Sequence, residues 1–112
     1  MSITIEEKNN YSLLKIREEK LNSVNSPDLK SQLVTLNKQG YKNIIVDMND
    51  VKFCDSSGLS ALLIGNRLCN EQNGKFVINS LQDMVMKLIE ISQLDKVLHI
   101  TNELNQAEEM MD

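Results

Sequence analysis

The sequence predicts an α/β fold: a mixed β-sheet of four to five strands packed with about four α-helices. Short apolar runs of strand length alternate with longer stretches of helical period. Turn-forming residues separate nearly every run from the next. Alternating βα units in a chain of 112 residues imply a mostly parallel sheet with right-handed crossovers.

The first element is a hairpin. Ile3-Thr4-Ile5 and Tyr11-Ser12-Leu13-Leu14-Lys15-Ile16 alternate polar and apolar side chains about the turn-forming Lys8-Asn9-Asn10. Two short strands are not stable alone, so the hairpin needs more sheet or a helix behind it. After Leu21, a polar loop from Asn22 to Pro27 leads into a helix, with Ser26 as the expected N-cap and Pro27 in the first helical position. Leu29, Leu33 and Leu36 recur at helical spacing, and Gly40 stands where a C-cap is expected.

Asn43-Ile44-Ile45-Val46-Asp47-Met48 is a continuous apolar run rich in β-branched residues, the pattern of a central strand covered on both faces. Val51-Lys52-Phe53-Cys54 reads as a brief extended piece, followed by the turn Asp55-Ser56-Ser57-Gly58. From Leu59 to Gln72 the pattern is helical, and Asn73-Gly74 stops it. Lys75 to Asn79 reads as a strand, Leu81 to Ile91 as a helix, Val97 to Ile100 as a strand and Asn102 to Met110 as a closing helix. The predicted order is β-β-α-β-α-β-α-β-α, a single domain over residues 1–112 with no internal repeat.

Composition excludes several function classes. Twelve Lys and Arg against 16 Asp and Glu give a formal net charge of −4, with both signs spread along the chain. Without a basic stripe, nucleic-acid binding is not expected, because phosphate contacts supply most of that affinity. No polybasic anchor and no apolar run of spanning length are present, so membrane insertion is not expected either. Cys54 and Cys69 form no CxxC pair and His99 is the sole histidine, which leaves metal binding without ligands. Reduced thiols and a start without a signal-peptide core point to the cytoplasm. His99 reads as a structural residue of an edge strand, and the six methionines as core filler or chain ends.

The Asp55-Ser56-Ser57-Gly58 turn carries the functional information. It follows the most apolar strand and opens a helix, where working surfaces of open α/β sheets lie. A helix N-terminus has free N–H donors and a partial positive charge, and it accommodates a phosphoryl group. Gly58 is expected to relieve crowding for a close approach. The same residue types also serve as an ordinary helix cap. Gly-x-Ser-x-Gly and P-loop patterns are absent, and no acid, base and nucleophile set marks an enzyme.

The segment from Val46 to Leu59 resembles the core signature of STAS domains: an apolar strand ending in Asp, an apolar-x-aromatic step, then Asp-Ser-Ser-Gly-Leu opening a helix. The resemblance runs along nearly the whole chain. Leu21-Asn22 stands where the family has Gly-Glu-Leu-Asp, and Ile91-Ser92-Gln93-Leu94 where it has an apolar residue before Ser-Gly-Leu. Glu19, Lys20, Asn22 and Gln93 depart from those patterns.

The resemblance implies an anti-sigma factor antagonist with no cofactor. Ser56 would be phosphorylated by an anti-sigma factor that is itself a serine kinase. The unphosphorylated form would bind that kinase, and a metal-dependent serine phosphatase would reset the switch. Asn22, Asp55, Ser56, Ser57, Gly58 and Leu59 are then the expected partner-binding residues. The alternative reading is a STAS module that is not phosphorylated, either an accessory subunit of a transporter complex or a binder of a nucleotide or small ligand.

Overall fold

In the computed structural model, which describes residues 2–111, the hairpin forms as its alternation predicts. Strands β1 (Ile3–Glu7) and β2 (Ser12–Ile16) pair antiparallel, with Ile3 opposite Ile16 and Glu7 opposite Ser12. A two-residue strand β3 (Lys20–Leu21) precedes helix α1 (Ser26–Lys38). Strand β4 (Ile44–Asp47), a second two-residue strand β5 (Phe53–Cys54) and helix α2 (Ser56–Glu71) follow. Strand β6 (Phe76–Asn79), helix α3 (Asp83–Ile91), a 3-10 turn at Leu94–Lys96, strand β7 (His99–Thr101) and helix α4 (Leu104–Glu109) complete the order.

Five strands make one mixed sheet in the order β1-β2-β4-β6-β7, in which every pair after the hairpin is parallel. Alternation along the strands sorts the core into two layers. Leu14, Ile16, Ile44, Val46, Phe76 and Ile78 face helices α1 to α3 and join the main core with Leu29, Leu33, Leu62 and Ile89. Ile45 and Val77 point to the opposite face, where Ala107 and Met111 of the α4 region cover them. The run at 44–46 is therefore buried on both sides, as its continuous apolar pattern predicts.

Several boundaries differ from the sequence-based reading. Ser26 is the first helical residue and not the cap; Asn25 occupies that position. Asn25 instead spends its side chain on the preceding loop: Nδ2 donates to Lys20 O at 2.7 Å and Oδ1 accepts from Asn22 N at 2.9 Å. Helix α2 begins at Ser56, three residues before Leu59, because Asp55 already caps it. Helix α3 begins at Asp83, β7 covers His99–Thr101, and α4 spans Leu104–Glu109. Gly40 ends α1 as expected, at φ +93°.

The extended piece at Phe53–Cys54 pairs parallel with Lys20–Leu21 as a separate two-stranded sheet. Lys52 N and Phe53 N both donate to Glu19 O, at 2.7 and 3.1 Å, and Asp55 N donates to Leu21 O at 3.1 Å. This small sheet ties the β2–α1 connection to the turn at Asp55.

Candidate functional site

The turn at 55–58 is built around a capped helix start. Asp55 has an extended backbone, and its Oδ1 accepts the Gly58 N–H at 3.1 Å, satisfying one of the four free donors of α2. Leu59 N donates to Asp55 O at 3.0 Å and begins the regular helical ladder. Asp55 and Ser56 are exposed, while Ser57 is half-buried beside a cleft of about 300 Å³ between α1 and α2. Lys30 is the one charged residue lining that cleft. Ser56 thus stands in the first turn of a 16-residue helix, next to the carboxylate that caps it.

Gly58 and Leu59 sit inside the protein. Leu59 is 6 % exposed and belongs to the main core. A Cβ on Gly58 would lie 2.6 Å from Cys54 Sγ, 2.8 Å from Leu21 O and 2.9 Å from Leu21 Cγ. The crowding that glycine relieves there is internal: it lets α2 start directly beneath the β3–β5 pair. Both residues are buried where they position the turn.

Asn22 is brought beside the turn through the β3–β5 pairing. Its Oδ1 accepts from Val24 N at 3.0 Å and Asn25 N at 3.4 Å, so the side chain holds a local Asx-type turn. Half-buried, it keeps one edge toward solvent. Phe53, in β5 just before the serine turn, is 50 % exposed.

The chemistry available here is recognition. Burial, with a smaller contribution from Asp55, pushes the Cys54 thiol up to about 12, and burial does the same for Cys69. Both therefore remain protonated at neutral pH and are poor nucleophiles. Among the described residues no group of three His, Cys, Asp or Glu side chains is placed to hold a metal ion. His99 lies on the edge strand with its side chain exposed, far in sequence from the turn.

Residues 2–107 match the family model of the STAS domain. The chain belongs to the STAS domain family. An anti-sigma-B factor antagonist of Staphylococcus aureus is 26 % identical over 74 residues, which cover 66 % of this chain and 68 % of that protein. Among solved structures, an anti-sigma factor antagonist from Mycobacterium paratuberculosis superposes with a TM-score of 0.87 at 18 % identity, covering 98 % of this chain and 92 % of the other. The Bacillus cell-fate determinant SpoIIAA in its phosphorylated form gives 0.75 at 17 % identity, covering 96 % and 98 %. At such identities the structural likeness establishes the STAS fold. No helix among the described residues is long and apolar enough to cross a membrane.

The sequence alone located the serine turn. It did not reveal the β3–β5 pair, because two-residue strands carry no periodic signal. The internal role of Gly58 was equally hidden, since it depends on contacts with residues far away in sequence.

Proposed function

We propose that this STAS protein is an anti-sigma factor antagonist that works as a phosphorylation-controlled binding switch. Unphosphorylated, it binds an anti-sigma factor that is a serine kinase. That kinase phosphorylates Ser56 and so releases the complex; a metal-dependent serine phosphatase restores the binding form.

The observation that carries this reading is the placement of Ser56: exposed, in the first turn of α2, with the neighbouring Asp55 already fixed as the cap. A kinase can reach its hydroxyl without unfolding the domain. The antagonist relatives and a structural neighbour known in a phosphorylated form add support. A phosphoryl group adds about −1.5 to −2 charges at neutral pH. Beside Asp55 it repels an acidic partner surface and puts a strongly hydrated group into a contact that must become dry.

The deciding experiment incubates the protein with each candidate anti-sigma serine kinase of its own cell and ATP, followed by mass spectrometry. Phosphate should appear on Ser56 and be absent from Ser56→Ala, and the phosphorylated protein should lose the complex. Phosphate on another residue, or an unchanged complex, would sink the proposal.

A further inference from the structure

Asn25 stands at the cap position of α1 and is a residue type that caps helices well, yet its side chain makes no bond to the free N–H groups of that helix. The amide turns the other way. Its Nδ2 donates to Lys20 O at 2.7 Å and its Oδ1 accepts from Asn22 N at 2.9 Å. Those two atoms belong to the peptide groups on either side of Leu21, so one side chain grips both flanks of a fully buried residue.

The second of these peptide groups also reaches the serine turn. Leu21 O and Asn22 N are the two polar ends of one planar peptide unit. Asn22 N donates to Asn25 Oδ1, and Leu21 O accepts from Asp55 N at 3.1 Å. A hydrogen-bonded chain therefore runs from the Asn25 amide, through one peptide plane, to the backbone of the residue that caps α2. Bonds in such a chain polarise and strengthen one another. Leu21 O also lies 2.8 Å from the place where a Gly58 Cβ would stand, so a small tilt of this plane is felt at the first turn of α2.

The β3–β5 pair is a weak support for that plane, being two residues long on each strand. The exposed Lys52–Glu19 ion pair across it, at 3.4 Å, is screened by water and adds little. Nor does the loop need the Asn25 side chain for its own closure. Asn22 Oδ1 accepts from Val24 N and Asn25 N, and Asn22 O accepts from Ser26 N at 2.8 Å. Lys20 lies outside that turn, and the bond from Asn25 ties its carbonyl in.

We infer that Asn25 is a positioning residue for Ser56: it fixes the Leu21–Asn22 peptide plane, and through it Asp55 and the start of α2. The inference rests on the reading of Ser56 as a phosphoacceptor and adds to it the group that holds the acceptor in place.

The test compares Asn25→Ala and Asn25→Ser with the parent. Serine can cap α1 but is too short to span Lys20 O and Asn22 N, so it separates an ordinary capping role from the grip on Leu21. Amide hydrogen exchange followed by NMR should be about fivefold or more faster at Asp55 in both variants, and unchanged at Val46 and Val77 in the central strands. Asn25→Ser should keep its melting temperature within a few degrees of the parent. With the anti-sigma kinase that phosphorylates the parent, kcat/KM for Ser56 should fall in both variants, and serine should not rescue it. Parent-like exchange at Asp55 in Asn25→Ser, an equal rise at Val46, or unchanged phosphorylation of a variant with faster exchange would each overturn the inference. If no kinase places phosphate on Ser56 of the parent, the switch reading falls, and exchange at Asp55 still decides whether Asn25 positions the turn.

Discussion

Asp55 and Gly58 hold the serine turn by two different forces, and each can be measured. Asp55 supplies the cap of α2, so Asp55→Ala should lower stability by about 1 kcal/mol and Asp55→Asn, which keeps an acceptor, by less. Urea unfolding of the three proteins checks this; equal stability of the alanine variant would show that the cap contributes nothing. Gly58→Ala forces a methyl against Leu21 O, Leu21 Cγ and Cys54 Sγ, all under 3.0 Å. A backbone oxygen cannot rotate away, so the expected loss is about 1–3 kcal/mol, as for overpacked cores. Thermal and urea melts read that loss, and a fully stable Gly58→Ala would require the β3–β5 pair to shift without cost. These residues also show how far a site can be read from a sequence. Asp-Ser-Ser-Gly is legible because capping is local chemistry, acting over three residues. The role of Gly58 toward Leu21 is not, because it exists only once β3 and β5 have paired.

At the scale of elements, helices α1 to α4, the five-strand sheet and the extended piece that becomes β5 were legible from period and turn residues. Strand β3, its pairing with β5 and the division of labour between the sheet's faces were not. One face is covered by three helices, the other by the six-residue α4. So short a helix has little intrinsic stability and depends on its tertiary attachments. Tyr11 donates its hydroxyl to the Glu108 carboxylate, and Asn10 Nδ2 donates to Met111 O at 3.3 Å. At the start of α4, Glu103 and Gln106 form a capping box. Burial first, then the bond to Glu108, pushes the Tyr11 hydroxyl up to about 12 from 10. Folding therefore favours the neutral phenol. Its stabilising effect is fully present below pH 10 and is lost as the pH rises from 10 toward 12. Urea unfolding of the parent and Tyr11→Phe between pH 8 and 11.5 should show the parent losing stability faster at the alkaline end. Parallel curves would mean that folding does not hold the Tyr11 phenol neutral. Cys54, Cys69 and Tyr41 are raised in the same direction, but they are common to both proteins and cancel in the comparison. Gln93 adds a conformational case: it adopts φ +60°, a left-handed geometry that glycine takes more readily, at a position where the STAS resemblance leads one to expect glycine.

For the whole molecule, the question is why one phosphate would abolish binding and spare the fold. Phosphorylation of Ser56 would move the net charge from −4 toward about −6. Ser56 is exposed, and the added charge lies at a helix N-terminus that favours anions by about 0.3–1 kcal/mol. Repulsion from Asp55 opposes this through solvent and is damped by salt over about 8 Å. The two effects are similar in size and opposite in sign, so the folded state should change by less than about 1 kcal/mol. Docking is different, because a phosphate buried in an interface loses its water. Burying a charged group without full compensation costs several kcal/mol. At about 1.4 kcal/mol per factor of ten, that means a loss of more than a hundredfold in affinity. The expected outcome is two forms with superimposable circular dichroism and melting temperatures within a few degrees, of which calorimetry finds only the unphosphorylated one bound. Raising the salt should not restore binding, since dehydration and not long-range repulsion dominates. Recovery of the complex in high salt would show that charge alone drives release, and unfolding of the phosphorylated form would show that the switch acts through the fold.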